Sequence, residues 1–165
     1  MRFAYLGSGS KGNALVVEAG STRVLLDCGL PLVEVDARLA RLGLTASELT
    51  AIVVTHEHGD HIGGVAKLAR RNQLPVWLTA GTRAAWKAAP DEWLRTLTPH
   101  RHLTIGDLDV MPYPVPHDAR SASISTGCQR AAIFGFSVFV SSPRWNACRL
   151  ALRSREVVTE KLGDE

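Results

Sequence analysis

The sequence has no closely spaced pair of cysteines. Its three, Cys28, Cys128 and Cys148, are odd in number and far apart. That excludes a disulfide framework and a CxxC zinc module, and leaves the expectation of unpaired thiols in a reducing compartment. No stretch reaches the roughly 18 apolar residues of a membrane-crossing helix. The opening MRFAYLGSGS has one basic residue and then glycines and serines, without the apolar segment of a secretion signal. A soluble cytoplasmic protein, with no membrane partner, is the expectation. No basic block stands out either. Residues 1–120 carry 13 Lys/Arg against 12 Asp/Glu, and residues 121–165 carry 6 against 4, within a net charge of +3. Composition therefore provides no electrostatic footprint for nucleic acid. Repeats and low-complexity stretches are absent too. What remains is ordinary for a globular domain: 165 residues, 45% hydrophobic and 21% charged, enough to bury one core.

The pattern of apolar residues alternates between strand and helix signals. FAYL, ALVVEA and TRVLLD read as three short strands separated by a Gly/Ser loop and the turn AGS. A helix starts near Pro31, with Val35, Leu39 and Leu42 on one face. Thr45 followed by Glu48 makes a capping-box pattern. AIVV is an apolar strand, IGGVAKLARRN a helix, PVWLT a strand, and GTRAAWKAA a helix ended by Pro90. LTIGDLDVMPYPVPH holds one or two strands ending at His117. Strands alternating with helices indicate a layered α/β fold. In the remainder, AAIFGFSVFV reads as a strand and the segment after Pro143 as a helix.

IVVTHEHGDHIGG, residues 52–64, is the densest chemistry in the chain, with three histidines and two acids within six positions. Imidazole suits zinc and its neighbours, and carboxylate joins it on harder divalent ions. In an extended turn, His56 and His58 aim at one point, while Asp60 and His61, entering a helix, aim at a second. Gly59 is expected to allow a tight turn between the pairs, and Gly63 and Gly64 close packing at the helix start. A lone histidine would be read as a solvated loop residue; four donors spaced His-x-His-x-Asp-His behind a buried strand form a metal site. Glu57 falls on the other side of the alternation and is left out. His100 and His102, in PHRH, have ligand-like spacing but no acid nearby, and read as surface residues.

THEHGDH is similar to the His-x-His-x-Asp-His signature of the metallo-β-lactamase superfamily of metal-dependent hydrolases. LLDCG resembles that family's first motif and VPHDA its third. LGSGSKGN resembles the branch of WalJ/YycJ-like proteins, grouped with phosphodiesterases and nucleases. The resemblance covers roughly residues 1–120. It implies an αββα sandwich, present here in its N-terminal half. It implies two divalent ions, zinc or manganese, one held by His56, His58 and His117 and the other by Asp60 and His61. Asp27 would stand behind the ligands and fix their loop by hydrogen bonds. Asp60 would also be catalytic, orienting the nucleophile. The implied substrate is a nucleic acid or another phosphodiester, attacked by metal-activated water. Thioester hydrolysis of the glyoxalase kind is the alternative, because the same ligands polarise a carbonyl equally well.

GSGSKGN lacks the order and the following helix of a P-loop. It reads as a turn between strands, and the resemblance puts it near the metal mouth, with Ser8, Ser10 and Asn13 as substrate contacts and Lys11 as a point charge for phosphate. Two further pieces of the family pattern, a strand-end aspartate bridging the metals and a late histidine, have no counterpart. His117 is the last histidine, and only Asp118 and Asp164 follow among aspartates. Asp118 reads as a loop acid. Residues 121–165 are therefore expected to be a divergent tail, and a reading-frame shift near Arg120 is one expectation for its origin. On that reading the chain binds one ion, works only as a metal-binding fragment or with a partner chain, and pairs with a second copy through an uncovered sheet.

Overall fold

A computed structural model describes residues 1–87, 91–114, 134–140, 148–153 and 156–161. The first sheet has six strands: β1 (Arg2–Gly7), β2 (Ala14–Ala19), β3 (Thr22–Leu26), β4 (Ala51–Val53), β5 (Val76–Thr79) and β6 (Leu94–Leu97), adjacent in that order. β1, β2 and β3 form an antiparallel meander; β3 to β6 run parallel. Parallel neighbours need crossovers. These are α1 (Leu32–Arg41), the pair α2 (Gly59–Ile62) and α3 (Val65–Asn72), and α4 (Ala80–Ala85).

The strands are apolar on both sides because both faces are covered. One face buries Val16, Leu25, Ile52, Val76 and Leu78 under helix residues Val35, Leu39, Val65 and Leu68. The other buries Leu15, Val17, Val24, Leu26 and Val53 against Ile105, Leu108 and Val110 of a second sheet. That sheet is antiparallel, ordered β11-β10-β9-β8-β7, from β7 (Leu103–Ile105), β8 (Leu108–Pro114), β9 (Phe134–Val140), β10 (Cys148–Arg153) and β11 (Glu156–Lys161). The two sheets are stitched at the β7–β8 turn, where Thr22 Oγ1 accepts the Asp107 N–H at 2.8 Å. The described layers are thus helix, sheet, sheet: an α/β sandwich.

Most elements lie where the sequence places them. The capping box forms, with the Glu48 carboxylate accepting from the Thr45 N–H at 2.7 Å. Leu42 does not join the buried face of α1; it caps the helix and is 44% exposed. The strand β6 was hidden in DEWLRTLTP, where only Leu94 and Leu97 are buried. The helix expected after Pro143 is replaced by the hairpin β10–β11. Cys148, Leu150 and Leu152 alternate with Arg149, Ala151 and Arg153, a period of two that a helical reading overlooks. An uncovered apolar face of the central sheets was expected; the inner face of the first sheet is covered by Ile105, Leu108 and Val110 of β7 and β8. Among the described residues of β1, Phe3 (40%) and Tyr5 (49%), paired across with Val17 and Leu15, remain exposed at the sheet edge.

Candidate metal centre

The carboxyl ends of parallel strands are where open α/β sheets present ligand-binding groups. β3 and β4 end side by side here, with Leu26 paired to Val53. The next residues in each chain segment are Asp27 and the run Val54–His61. Asp27 turns sharply, with a left-handed φ of 58°, a conformation aspartate tolerates better than most residues. Its N–H donates to Val53 O at 2.8 Å, and its side chain is buried.

Asp27 organises the histidines. Its Oδ1 accepts the Thr55 N–H at 2.8 Å. Its Oδ2 accepts the Thr55 hydroxyl at 2.8 Å and faces His61 Nδ1 at 2.8 Å. A carboxylate only accepts, so His61 carries a proton on Nδ1. Thr55 has one hydroxyl proton, already directed at Asp27. His56 Nδ1, 2.8 Å from Thr55 Oγ1, is then the donor of that contact. Both imidazoles are held in the Nδ1–H tautomer, which makes Nε2 the acceptor nitrogen of each ring. The ring of His56 lies 4.6 Å from that of His58 and 4.0 Å from that of His61, centroid to centroid. His56 is buried and His58 exposed, so the cluster runs from the interior to solvent. Burial opposes a charged His61, but the hydrogen bond and charge of Asp27, with the charge of Asp60, outweigh it and raise its pKa above 6.5.

Asp60 Oδ2 lies 3.7 Å from His61 Nε2. Bonds of about 2.0–2.2 Å from each atom reach a common ion at that separation. Among the described residues no three His, Cys, Asp or Glu side chains converge closely enough to hold an ion alone. The resemblance groups the donors as His56 with His58 and Asp60 with His61, while the structure sets the His56 ring between those of His58 and His61, 4.6 and 4.0 Å from them. Each pair fits a divalent cation in chemistry and requires further ligands; His117, expected to complete the first, lies outside the described residues, as does Asp118. Glu57, set aside in the sequence, has a buried Oε2 without a hydrogen-bond partner among the described residues.

Backbone contacts fix the ligand loop against its neighbours. Asn13 N donates to Asp60 O at 2.7 Å, Cys28 N to His61 O at 2.7 Å, Gly29 N to Asn13 O at 3.0 Å, and Gly64 N to Cys28 O at 2.8 Å. Such approach requires glycine. A Cβ on Gly29 would sit 1.8 Å from Asp60 O, and one on Gly64 would sit 2.2 Å from Leu30 O. Gly64 thus packs closely, as expected. Gly59 does not make the tight turn assigned to it: it opens α2 in a right-handed conformation, and a Cβ there meets nothing within 4 Å. The turn is made by the extended His58 instead (φ −66°, ψ 144°).

The loop joining β1 and β2 closes over this frame. Ser8, Ser10 and Lys11 are exposed on it. Asn13 differs from them. Its amide is turned inward, onto Gly9, Asp60 and His61. His100 and His102 are exposed in the turn before β7. Thr55 is the participant that the sequence reading missed, and its only signal was its place immediately before the first histidine.

A family model described as the metallo-beta-lactamase superfamily matches residues 7–127. The exodeoxyribonuclease WalJ of Streptococcus pneumoniae serotype 2 is 32% identical over 127 residues, covering 72% of this chain and 46% of that protein. The exodeoxyribonuclease YycJ of Bacillus anthracis is 34% identical over 126 residues, covering 72% and 47%. The ribonuclease Z of Methanopyrus kandleri is 32% identical over 112 residues, covering 62% and 39%. The chain therefore spans about half the length of the curated relatives it matches. Among solved structures, a B3 metallo-beta-lactamase with an active-site glutamic acid superimposes with a TM-score of 0.69 at 17% identity, over 90% of this chain and 58% of that one. Motifs, sandwich and strand-end histidines agree with these matches, and the chain belongs to the metallo-beta-lactamase superfamily.

Proposed function

We propose that this chain carries the metal-binding half of a nuclease-like hydrolase that cleaves phosphodiester bonds. The observation that carries the reading is the placement of His56, His58, Asp60 and His61 together beyond the ends of β3 and β4, with Asp27 and Thr55 fixing two of the imidazoles behind them. His56 and His58 would hold one divalent ion with His117, and Asp60 with His61 would contribute to a second. When bound, such ions supply an acidified water and neutralise charge on the scissile group. The chain's own residues do the rest. Asp27 and Thr55 hold protons on Nδ1 of His61 and His56, so each ring presents Nε2 towards the site. Asp60, half-buried between Asn13 and His61, orients the attacking water or binds an ion. The exposed Ser8, Ser10 and Lys11 offer hydrogen bonds and a positive charge to phosphate oxygens. The exodeoxyribonuclease and ribonuclease relatives support a nucleic acid as substrate over a thioester.

The test is a substrate panel with added Mn²⁺ or Zn²⁺: duplex DNA, bis-p-nitrophenyl phosphate and a glutathione thioester. Cleavage of the two phosphodiesters, lost with a chelator and in Asp60→Asn, is the expected result. Turnover of the thioester alone would overturn the phosphodiesterase reading. Metal binding without any turnover would replace it by a metal-binding fragment, and metal content unchanged in His58→Ala would remove the ligand assignment.

A further inference from the structure

The inner amide of Asn13 is hydrogen-bonded to the two side chains that would hold a second ion. Its orientation is fixed by Gly9: Asn13 Oδ1 accepts the Gly9 N–H at 2.9 Å, so Nδ2 is the atom turned towards the ligands, with Gly9 O at 3.1 Å. Nδ2 lies 3.1 Å from Asp60 Oδ2 and 3.1 Å from His61 Nε2, with Asp60 O at 3.3 Å. His61 donates through Nδ1 to Asp27, so its Nε2 offers a lone pair to that N–H. The amide thus hydrogen-bonds the same two atoms, 3.7 Å apart, that would hold a cation. An ion bonded to both at about 2.0–2.1 Å falls about 1.6 Å from Nδ2 on the Asn13 side and about 3.4 Å from it on the far side. On the near side the two clash, and on either side the single lone pair of His61 Nε2 cannot serve the ion and the amide N–H together, so binding the ion releases the amide from His61.

We propose that Asn13 is a built-in competitor for the second ion: its side chain occupies the Asp60–His61 pair and must withdraw before a cation binds there. This rests on the metal-site reading above and adds a consequence to it. The first ion, at His56 and His58, binds without disturbing Asn13. The second binds more weakly, because it displaces the amide from His61. Asn13 is then a positioning residue for the second site, and the loop from Gly9 to Asn13 moves only when that site fills.

The experiment is a titration of the purified chain with Co²⁺ alone, followed by visible absorption and calorimetry, in wild type, Asn13→Asp and Asn13→Ala. Asn13→Asp keeps an oxygen for the Gly9 N–H while replacing the competing donor by an anionic ligand. The expected result is an unchanged first ion and a second that binds about tenfold or more tightly in Asn13→Asp. Asn13→Ala tightens it by a smaller factor. A second dissociation constant that is unchanged or weaker in both variants would overturn the proposal and leave Asn13 as a loop clamp. Absence of any bound cobalt in all three proteins would overturn the metal reading and this inference with it. Should the variants fail to fold, the wild type decides. The ¹⁵N side-chain amide resonances of Asn13 should move with the second equivalent of Zn²⁺ and not with the first. Resonances unmoved through both equivalents refute the competition.

Discussion

Replacing Gly29 by alanine tests whether the ligand loop is held by close backbone approach. The added Cβ would lie 1.8 Å from Asp60 O, 2.2 Å from Asp60 C and 2.9 Å from Asp60 Cα. Ordinary van der Waals contact begins near about 3.4 Å, so the Asp60 backbone must retreat by about 1.5 Å. Backbone cannot swing aside as a flexible side chain does. That shift breaks the 2.7 Å bond from Asn13 N to Asp60 O and strains the 2.7 Å bond from Cys28 N to His61 O. Each lost bond that strands a buried group costs about 1–3 kcal/mol. Overpacking costs a further 1–3 kcal/mol or so. The smaller entropy of the unfolded alanine chain offsets only about 0.4–1 kcal/mol. With one bond broken the net loss is about 1–6 kcal/mol, against the roughly 5–15 kcal/mol typical of a domain. Urea denaturation followed by tryptophan fluorescence measures it. Gly59→Ala, two turns of the same argument away, is the control: its Cβ meets nothing within 4 Å and alanine favours a helix. It should be neutral or stabilising by up to about 1 kcal/mol. A loss below about 1 kcal/mol for Gly29→Ala, or an equal loss in both variants, would show that the loop is not held this way.

Asp27→Asn keeps the shape and tolerates the left-handed φ of 58°, but turns one acceptor into a donor facing Thr55 or His61. It should cost about 1–3 kcal/mol and weaken Zn²⁺ binding about 10–100-fold, read by urea melts and a competing chelator. Cys28 is buried, and burial pushes its thiol up to about 12, so iodoacetamide near about pH 8 should leave it unmodified in the native chain and label it in urea, as peptide mass spectrometry would report. Leu25→Ala, in the fully buried centre of β3, should lose about 2–5 kcal/mol in the same denaturation assay. The Arg2 and Arg23 guanidiniums lower the pKa of Glu18 from 4.5, and Arg71 lowers that of Asp36 from 3.8, with partial burial opposing in each case. Depressed carboxylates contribute stability above their unfolded values, and that contribution disappears as pH falls through the folded ones. Stability should therefore drop below about pH 4.5, by less than about 1 kcal/mol per exposed pair, and Arg71→Ala should flatten part of that slope.

The centre was legible because its donors are local. His56, His58, Asp60 and His61 follow one another at the spacing of the family motif, and Asp27 ends the neighbouring strand against them. Thr55 was not legible, since a threonine before a histidine has no distinctive signal until Asp27 is folded against it. Gly29 was not legible either, because its need for a bare Cα comes from Asp60, 31 positions along the chain. Gly59 was misjudged for the converse reason: it lies in the middle of the motif, yet nothing approaches it. The hairpin β10–β11 was mistaken for a helix because Arg149 to Glu160 mixes charge with apolar residues, and pairing between strands, not local propensity, decides its form. The cover over the first sheet escaped notice because it depends on Ile105, Leu108 and Val110, which meet β2 to β4 only in the folded chain.

Four backbone amides, at Asn13, Cys28, Gly29 and Gly64, lash three separate chain segments together without using a single side-chain donor. Main-chain bonds are indifferent to most substitutions. The outward residues of the same segments, Ser8, Ser10 and Lys11, are therefore free to be exchanged for others while the histidines stay in register. Such a mounting leaves the register of the histidine loop to the main chain, so the rim can vary at little cost to the packing beneath it.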